Sequence, residues 1–336
     1  MKILIYSPSF YPNIGGLETI VATLAYEFTQ HGHKVKLVST TPATDTKSFC
    51  FEVIRLPTPL QLLKITHWCD VLLQGCVSLK GLWSLPFVQR PLVITHHTWY
   101  RRADNTTGWQ DHLKQFVTRF STNIAASQAI ANSIPAPSIV IPNAYQEDIF
   151  YEMPEVKRDR ELVFLGRLVS DKGADLLLTA LAQLKNMGLT PKLTIIGIGP
   201  EEANLRQQSQ DLNINSQVEF VGRKVNHDLT HLLNAHQIMV VPSLWAEPFG
   251  IVALEGIACG CVVAGSEEGG LKDAIGSCGV TFANGNIEQL TQQLFSLLTH
   301  PEQLAQYREA AQNHLTHHTS QAIAKAYLNV LQGVLA

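Results

Sequence analysis

Two carboxylates, Glu247 and Glu255, bracket a run of seven residues whose types suit the binding of an anion. Pro248 is typical of a helix start and Gly250 carries no side chain, so a diphosphate could rest on the exposed amides there. Glu255 then lies about five residues inside the helix, roughly 7.5 Å along its axis. One ligand could meet Glu247 at its sugar end and Glu255 at its ribose end, the alternative being that Glu255 is a surface helix residue.

Two cations stand in residues 166–173, directly after an apolar run. Arg167 and Lys172 lie five residues apart around a strand-to-helix turn, so both can face one cleft. The pair suits a diphosphate leaving group, whose negative charge grows as the bond to the sugar breaks. Arg167 follows the strand so closely that it is expected to need a partner. For Lys172 the alternative is a solvated loop position.

Short apolar runs rich in Val, Ile and Leu predict the strands that position these side chains. Because the runs are continuous rather than alternating, we expect strands buried on both faces of parallel sheets that helices cover. The first series comprises residues 3–6, 35–39, 53–56, 71–73, 92–95 and 139–141. The second comprises residues 162–165, 193–196, 218–221, 238–241 and 262–264. Helical periodicity separates the runs, as in residues 18–30 and 174–185.

The chain is therefore predicted to be an α/β protein with two Rossmann-like, doubly wound domains in series. Residues 146–160 mix charges with a proline and keep no periodicity, which predicts a linker. We expect the first domain over residues 1–150, the second over 151–320, and a helix over 321–336 that packs on the second or crosses back to the first. Parallel sheets bind ligands beyond the carboxyl ends of their strands, so the cleft between the domains is the expected site.

Gly15 and Gly16 stand between the first predicted strand and the first predicted helix. Glycine lets a backbone approach a ligand closely and helix amides favour anions, so this loop is a candidate phosphate-facing turn. The geometry of a strand-to-helix turn explains the glycines equally well, because the Gly-x-Gly-x-x-Gly dinucleotide fingerprint is absent.

Composition excludes several classes. The formal net charge is −3, and no basic domain suggests nucleic-acid binding. Six cysteines lack Cys-x-x-Cys spacing and a companion histidine pattern, which argues against zinc and disulfide frameworks and favours a cytoplasmic protein. The apolar N-terminal run is too short for a signal peptide or a membrane span.

Contact with a surface is a further hypothesis. Arg101, Arg102, Lys114 and Arg119 cluster in sequence and suit an anionic acceptor or headgroup, although a solvated face is the alternative. Peripheral docking on the inner face of a membrane would use Leu82, Trp83 and the nearby basic residues.

The sequence resembles the family 4 retaining glycosyltransferases, also called group 1 glycosyltransferases, which have the GT-B fold. Glu247 and Glu255 match the family's Glu-x7-Glu hallmark. Further matches follow in the family's order: Gly15-Gly16, Ile141-Pro142-Asn143-Ala144, Gly166-Arg167-Leu168, Asp171-Lys172-Gly173, Val221-Gly222-Arg223, Pro242-Ser243 and Glu268-Gly269-Gly270-Leu271. Two features depart from the pattern, since Ala144 replaces the usual glycine and no aromatic-rich signal precedes the last helix.

The resemblance assigns roles to these positions. Arg167 and Lys172 would hold the diphosphate, Glu255 the ribose hydroxyls and Glu247 the donor sugar. His97, at the end of a first-domain strand, would reach the transferred sugar, with neighbouring His96 as the other register and a structural role as the alternative. The remaining predicted donor contacts are the backbone near Gly222 and Arg223, the segment Phe249, Gly250 and Ile251, and the Gly15-Gly16 loop.

The activity implied by the resemblance is that of a hexosyltransferase (EC 2.4). It would move a sugar from a UDP- or GDP-type donor to a hydroxyl of a polysaccharide, glycolipid or small glycoside. Retention would follow front-face attack, with the departing phosphate taking the acceptor proton. No Asp-x-Asp occurs, so cations and helix amides would replace a metal and no cofactor is expected. Residues 100–110 would read the acceptor, with Trp99, Tyr100 and Trp109 stacking on sugar or packing in the core.

Three other classes of protein share part of this pattern. A GT-B nucleotide-sugar epimerase would share the fold and donor site, and product analysis with and without acceptor would separate it from a transferase. A non-catalytic nucleotide-sugar-binding subunit is expected to lose site residues, whereas Arg167, Lys172, Glu247 and Glu255 are all present. A dinucleotide dehydrogenase lacks its glycine fingerprint here.

Overall fold

A computed structural model describes residues 1–13, 15–42, 48–100 and 108–336, which form two compact units. Unit 1 comprises Met1–Ala144 and Ser320–Ala336, and unit 2 comprises Tyr145–Thr319. The division between the units thus falls at Ala144, and the last helix of the chain belongs with the first unit. Each unit is built on its own parallel sheet.

The sheet of unit 1 has seven strands in the order β3-β2-β1-β4-β5-β6-β7. These strands are β1 (Lys2–Ser7), β2 (Lys34–Ser39), β3 (Glu52–Arg55), β4 (Val71–Gln74), β5 (Leu92–His96), β6 (Thr122–Ala125) and β7 (Ser138–Val140). The described helices are α1 (Gly16–Gln30), α2 (Pro59–Trp68), α3 (Leu79–Leu82), α4 (Trp109–Val117), α5 (Gln128–Ser133) and α14 (Ser320–Gly333). A 3-10 turn, Thr118–Phe120, continues α4.

Helix α1 illustrates how the sequence pattern produces this packing. Its predicted apolar stripe, Ile20, Val21, Leu24, Ala25 and Phe28, is buried, which confirms the helical periodicity. Strand β6 was not predicted, because its four residues include Thr122 and Asn123 and make no continuous apolar run.

The sheet of unit 2 has six strands in the order β10-β9-β8-β11-β12-β13. They are β8 (Arg160–Leu165), β9 (Leu193–Ile196), β10 (Val218–Gly222), β11 (His236–Val241), β12 (Val262–Ser266) and β13 (Gly279–Phe282). The helices are α6 (Ala174–Asn186), α7 (Glu202–Asp211), α8 (Asn226–Asn234), α9 (Ile251–Ala258), α10 (Leu271–Ile275), α11 (Ile287–Thr299), α12 (Pro301–Glu309) and α13 (Ala311–Thr316).

The segment that joins the two units, residues 145–159, has no helix or strand but is fastened to α8. The Asn234 Oδ1 accepts a hydrogen bond from the Met153 amide at 2.8 Å, and its Nδ2 donates to the Tyr151 carbonyl at 2.9 Å. The Thr230 hydroxyl donates to the Ile149 carbonyl at 2.8 Å. The predicted linker is therefore packed as part of unit 2.

Each sheet has one point where the strand order reverses direction. In unit 1 it lies between β1 and β4, and in unit 2 between β8 and β11. Loops that leave two such neighbours diverge to opposite faces of the sheet and leave a crevice at the carboxyl edge, where open α/β sheets bind ligands. The Gly15-Gly16 loop follows β1, whereas Arg167 and Glu247 follow β8 and β11.

Helix α14 ties the end of the chain to α1 in unit 1. Leu331 on this helix is fully buried, whereas Leu335 just beyond it is 40% exposed. We expect Leu331→Ala to lower the free energy of unfolding of unit 1 by about 2–5 kcal/mol, because it leaves a cavity. The matched control Leu335→Ala should cost about 0.5 kcal/mol or less.

Denaturant unfolding followed by tryptophan fluorescence measures this difference, since Trp68, Trp83, Trp99 and Trp109 lie in unit 1 and only Trp245 lies in unit 2. Equal losses for the two leucine variants would show that α14 does not stabilise unit 1.

Candidate functional site

The loops that follow β8 and β11 are bonded to each other at the reversal point of the unit 2 sheet. The Asp171 carbonyl accepts hydrogen bonds from the amides of Leu244 at 2.9 Å and Trp245 at 3.3 Å. Gly173 has φ +68°, and a Cβ there would lie 1.9 Å from the Pro242 carbonyl oxygen. Only glycine fits at this position, because the backbone is left-handed and the neighbouring chain touches it.

The same contact brings together two predicted site residues, Lys172 and Glu247. The Lys172 ammonium lies 2.5 Å from the Glu247 Oε1, and the side chains are 23% and 13% exposed. The Ser243 hydroxyl donates to the same oxygen at 2.7 Å. This short, largely buried ion pair fixes both side chains in one geometry at the carboxyl edge of the sheet.

Two further segments, Gly269-Gly270 and the residue Asn284, bond to Glu247 and Ser243. The Glu247 carbonyl accepts from the Gly270 amide at 2.7 Å, and Glu247 forms a parallel bridge with Gly269. The Asn284 side chain donates to the Ser243 carbonyl at 3.0 Å. Asn284 was not predicted as a site residue, and no local pattern marks it, because its Ser243 partner lies 41 residues away.

Arg167 differs from Lys172 in its surroundings. Its side chain is exposed, and no residue in the described part of the chain bonds its guanidinium. The partner that Arg167 is expected to need is therefore not a protein group among the described residues. Its position directly after β8 leaves a cation free at the reversal point of the sheet.

The second predicted anion-binding feature is the start of α9. The helix begins at Ile251 rather than at Pro248, and Gly250, with φ +96°, occupies its N-cap. No side chain from the described residues caps it, so its first amides can serve a ligand. Phe249 is 2% exposed and its ring packs beside His318, so only the backbone of this segment is available.

Glu255 lies on the fifth residue of α9, in the position expected from the sequence. The residue keeps partial exposure, but burial of its carboxyl group raises the pKa from 4.5 to about 7. Within the described ranges no group donates a hydrogen bond to this carboxylate. A half-neutral carboxyl without a donor is costly to bury, and a ligand with hydroxyl groups would relieve that cost.

Gly222 ends the edge strand β10 and Arg223 follows it. Gly222 has φ +69°, and its carbonyl accepts from the Gly197 amide at 2.9 Å. The Arg223 side chain is exposed. Because β8, β10 and β11 are parallel, these residues lie on the same edge of the sheet as Arg167 and Glu247, two strands away from β8.

In unit 1 the two neighbouring histidines have different roles in the packing. His96 is fully buried at the end of β5; its Nε2 donates to the Asn123 Oδ1 at 3.0 Å and its Nδ1 accepts from the Tyr100 hydroxyl at 2.6 Å. Burial lowers the pKa of His96 to about 4, so it is neutral and fully bonded. His96 therefore has no nitrogen left for a substrate.

His97 is less completely bonded. Its Nε2 contacts the Thr95 hydroxyl, while its Nδ1 is buried close to the Asn143 side chain without a hydrogen bond of good geometry among the described residues. Burial lowers the pKa of His97 to about 4 as well. Of the two histidines, His97 is the less completely hydrogen-bonded, and its role toward a transferred sugar stays a prediction.

The Gly15-Gly16 loop lies at the reversal point of the unit 1 sheet. Gly15 is the N-cap of α1 in extended conformation, and a Cβ there would lie 2.6 Å from the Glu18 Oε2. The Glu18 carboxylate is hydrogen-bonded by the Ser9 hydroxyl. Gly15 thus lies against the end of an acidic side chain, which no local sequence pattern indicates.

The predicted acceptor segment falls partly outside the described residues, since 101–107, including Arg101 and Arg102, are not among them. On either side of it, Trp99, Tyr100 and Trp109 line a cavity of about 420 Å³ in unit 1. Among the described residues no group of three His, Cys, Asp or Glu side chains is arranged to hold a metal ion. Their helices also include none with the length and apolar character needed to cross a bilayer.

Comparison with known proteins identifies the family of the chain. The model of the group 1 glycosyl transferases matches residues 146–314, half of the chain, and the chain belongs to that family. A glycogen synthase of Mycobacterium tuberculosis is 32% identical over 180 residues, covering 52% of this chain and 43% of the relative. A GDP-mannose-dependent monoacylated alpha-(1-6)-phosphatidylinositol monomannoside mannosyltransferase of Corynebacterium glutamicum is 31% identical over 175 residues, covering 50% and 45%. The match spans less than half the length of each relative.

A solved structure of the Anabaena protein HepE in complex with UDP has the same fold. It superposes with a TM-score of 0.82 at 20% identity and covers 99% of this chain and 100% of the HepE chain. The predicted fold class, two Rossmann-like parallel-sheet domains of the GT-B type, is confirmed.

The close approach at Gly173 yields a stability prediction. Gly173→Ala should lower the free energy of unfolding of unit 2 by more than about 3 kcal/mol, because its methyl group would overlap the Pro242 carbonyl. Gly188→Ala is the matched control: Gly188 also has positive φ, at +88°, but nothing lies within 4 Å of its added Cβ. That variant should cost only about 1–2 kcal/mol. Thermal unfolding by circular dichroism compares them, and equal losses would contradict the packing described for the Asp171–Gly173 turn.

The raised pKa of Glu255 yields a pH prediction. Between pH 4.5 and 7 the folded chain keeps a proton that the unfolded chain releases, so Glu255 destabilises the fold increasingly as pH rises through that range. Glu255→Gln should therefore raise the Tm at pH 8 by about 2–6 °C and leave it unchanged at pH 4.5. Glu155→Gln, the same change at an exposed loop position, should shift the Tm at neither pH. A Tm difference for Glu255→Gln that does not depend on pH would overturn the assignment.

Proposed function

We propose that the chain is a retaining glycosyltransferase that binds a nucleotide-diphosphate sugar at the carboxyl edge of the unit 2 sheet. The observation that carries the proposal is the cluster of Lys172, Glu247 and Ser243 at the reversal point between β8 and β11, beside the free cation of Arg167. Membership of the group 1 glycosyl transferase family supports it. The 31%-identical relative named as GDP-mannose-dependent supports a donor of the GDP or UDP type.

Lys172 and Arg167 are assigned to the diphosphate. The Lys172 ammonium is paired with Glu247, so an arriving diphosphate would compete with that carboxylate for the same cation. The exchange would release Glu247 toward the sugar at the moment when the phosphate is held. Exposed amides at the start of α9 would add donors to the phosphate oxygens. We propose that these groups act without a metal.

Glu255 is assigned to the ribose. Two adjacent hydroxyl groups can donate to one carboxylate, which stabilises its ionised form and lowers its pKa. Because Glu255 has no protein donor among the described residues, these hydrogen bonds would be new rather than exchanged. Binding near neutral pH would then release a proton.

For the chemical step we propose front-face attack. The bond between the anomeric carbon and the phosphate oxygen breaks with its electron pair going to the phosphate. The acceptor oxygen bonds to the same face of the carbon, and its proton passes to a phosphate oxygen of the leaving group. Glu247 would position the sugar and stabilise the developing positive charge without forming a covalent bond. The role of His97 toward the transferred sugar and the identity of the acceptor remain predictions.

Two isosteric variants test these roles, because Glu255→Gln should impair nucleotide binding whereas Glu247→Gln should impair sugar transfer. Stabilisation by UDP, GDP and ADP and by their sugar conjugates is first measured by thermal shift, and the best donor class should raise the Tm by mass action. Glu255→Gln should lose most of that nucleotide-dependent shift, because a charged acceptor of two hydrogen bonds is gone. Glu247→Gln should keep the shift but lose at least about 100-fold in transfer rate.

Product analysis with and without an added acceptor completes the test. A transferase gives a glycosylated acceptor with retained configuration, whereas a nucleotide-sugar epimerase converts the donor without acceptor. Full transfer by Glu247→Gln would eliminate its proposed role, and the absence of any nucleotide-dependent shift would eliminate the proposed donor site.

A further inference from the structure

Helix α4 and the 3-10 turn that follows it expose their apolar side to solvent. The exposed fractions are 72% for Trp109, 40% for Leu113, 52% for Phe116 and 71% for Phe120. These residues recur at the spacing of a single helical face. A surface helix of a soluble domain normally buries that face against its core, and α4 has no buried residue.

The polar side of α4 faces the protein instead. Asp111 and Lys114 form an ion pair at 3.4 Å, and their side chains are only 19% and 31% exposed. The Asp111 Oδ2 also accepts from the Gly108 amide at 3.0 Å, and the buried Thr118 hydroxyl donates to the Gln115 carbonyl at 2.6 Å. These hydrogen bonds lie within residues 108–118. The burial of Thr118 and the low exposure of Asp111 and Lys114 show that this side of α4 faces unit 1, which leaves the apolar side facing outward.

The exposed face continues into a neighbouring groove. Phe116 and Phe120, whose ring centroids lie 5.2 Å apart, line a groove of about 590 Å³ with Leu82, Leu85 and Pro86. Beside it Phe87 is 71% exposed. We call Phe87, Trp109, Leu113, Phe116 and Phe120 the aromatic patch. A contiguous apolar surface of this kind is a feature of interaction sites rather than of ordinary solvent-facing surface.

The two segments that carry the aromatic patch contain more cations than acids. Residues 79–92 and 108–121 contain the cations Lys80, Arg90, Lys114 and Arg119 and one acid, Asp111, which Lys114 already neutralises. Lys80 and Arg119 are exposed. A partner that matches both properties has an apolar interior and an anionic surface. A second copy of the chain matches poorly, because two-fold pairing would bring the cations of these segments close to the same cations of the other copy.

We propose that the aromatic patch docks unit 1 onto a lipid bilayer that carries anionic headgroups. The rings would lie at the boundary of headgroups and acyl chains, with Arg119 and Lys80 at the phosphate level. The sequence predicts Leu82 and Trp83 as anchors. Both are partly buried and Trp83 packs against the core of unit 1, so we assign the main contact to the more exposed rings of the aromatic patch. Docking in this way needs neither nucleotide nor transfer activity, so its test is independent of the donor site.

Flotation of the full chain with lipid vesicles tests the proposal. We expect binding to vesicles of phosphatidylcholine with about one-third phosphatidylglycerol, and weaker binding to phosphatidylcholine alone or in high salt. The double variant Phe116→Gln with Phe120→Gln should reduce the lipid-bound fraction at least about tenfold. The matched control is Tyr26→Gln with Met187→Gln, which removes two apolar side chains that are 49% and 48% exposed elsewhere and should bind as the wild type does.

A second measurement does not depend on lost binding. Trp109 fluorescence should be quenched by vesicles with brominated acyl chains, and Trp109→Phe should abolish that quenching while vesicle binding persists. Three results would overturn the proposal: no binding of the wild-type chain to anionic vesicles, equal binding by the Phe116/Phe120 variant, or a wild-type dimer that becomes monomeric in that variant. The third would assign the patch to a second copy of the chain.

Discussion

The candidate donor site depends on one contact, the fastening of the loop after β8 to the loop after β11. Two amides of the second loop converge on the Asp171 carbonyl, and Gly173 lies against the Pro242 carbonyl without a side chain between them. Backbone groups at a sheet edge have lost their strand partners and must find others. Here they find each other, which brings Lys172 and Glu247 within 2.5 Å although they are 75 residues apart in sequence.

The strand order explains why this contact lies where a ligand would bind. Neighbouring strands β8 and β11 send their chains to opposite sides of the sheet, so a crevice forms at their carboxyl ends. Glycines let the walls of that crevice close without side chains. Gly269 has φ +85° and packs against the backbone of Glu247. The Asn284 side chain donates to the Ser243 carbonyl, and the Ser243 hydroxyl donates to the Glu247 carboxylate. Backbone contacts thus hold the two loops that carry Lys172 and Glu247, so an anion could bind there with little movement of the loops.

Much of the fold and of the donor side was predictable from the sequence, because long apolar strands and glycine-flanked cations leave local signals. The apolar runs predict every strand of the two described sheets except β6 and β13. These two are missed because Thr122–Ala125 is partly polar and Gly279–Phe282 is short and begins with glycine. Asn284 was missed because its partners are distant in sequence. The outward face of α4 was missed because periodicity gives the apolar stripe of a helix but not the side that packs.

Glu255 and helix α4 share a physical property that no sequence pattern encodes. Each is an energetically unfavourable feature of the fold: a carboxyl group is buried without a donor among the described residues, and an aromatic face is left in water. Such features persist when a ligand supplies what the fold omits, hydroxyl donors in one case and an apolar phase in the other. The two sites need different partners, so they can be gained or lost separately. Under the two proposals, a variant that lacks the aromatic patch would keep transfer to acceptors in solution and would lose its contact with the bilayer.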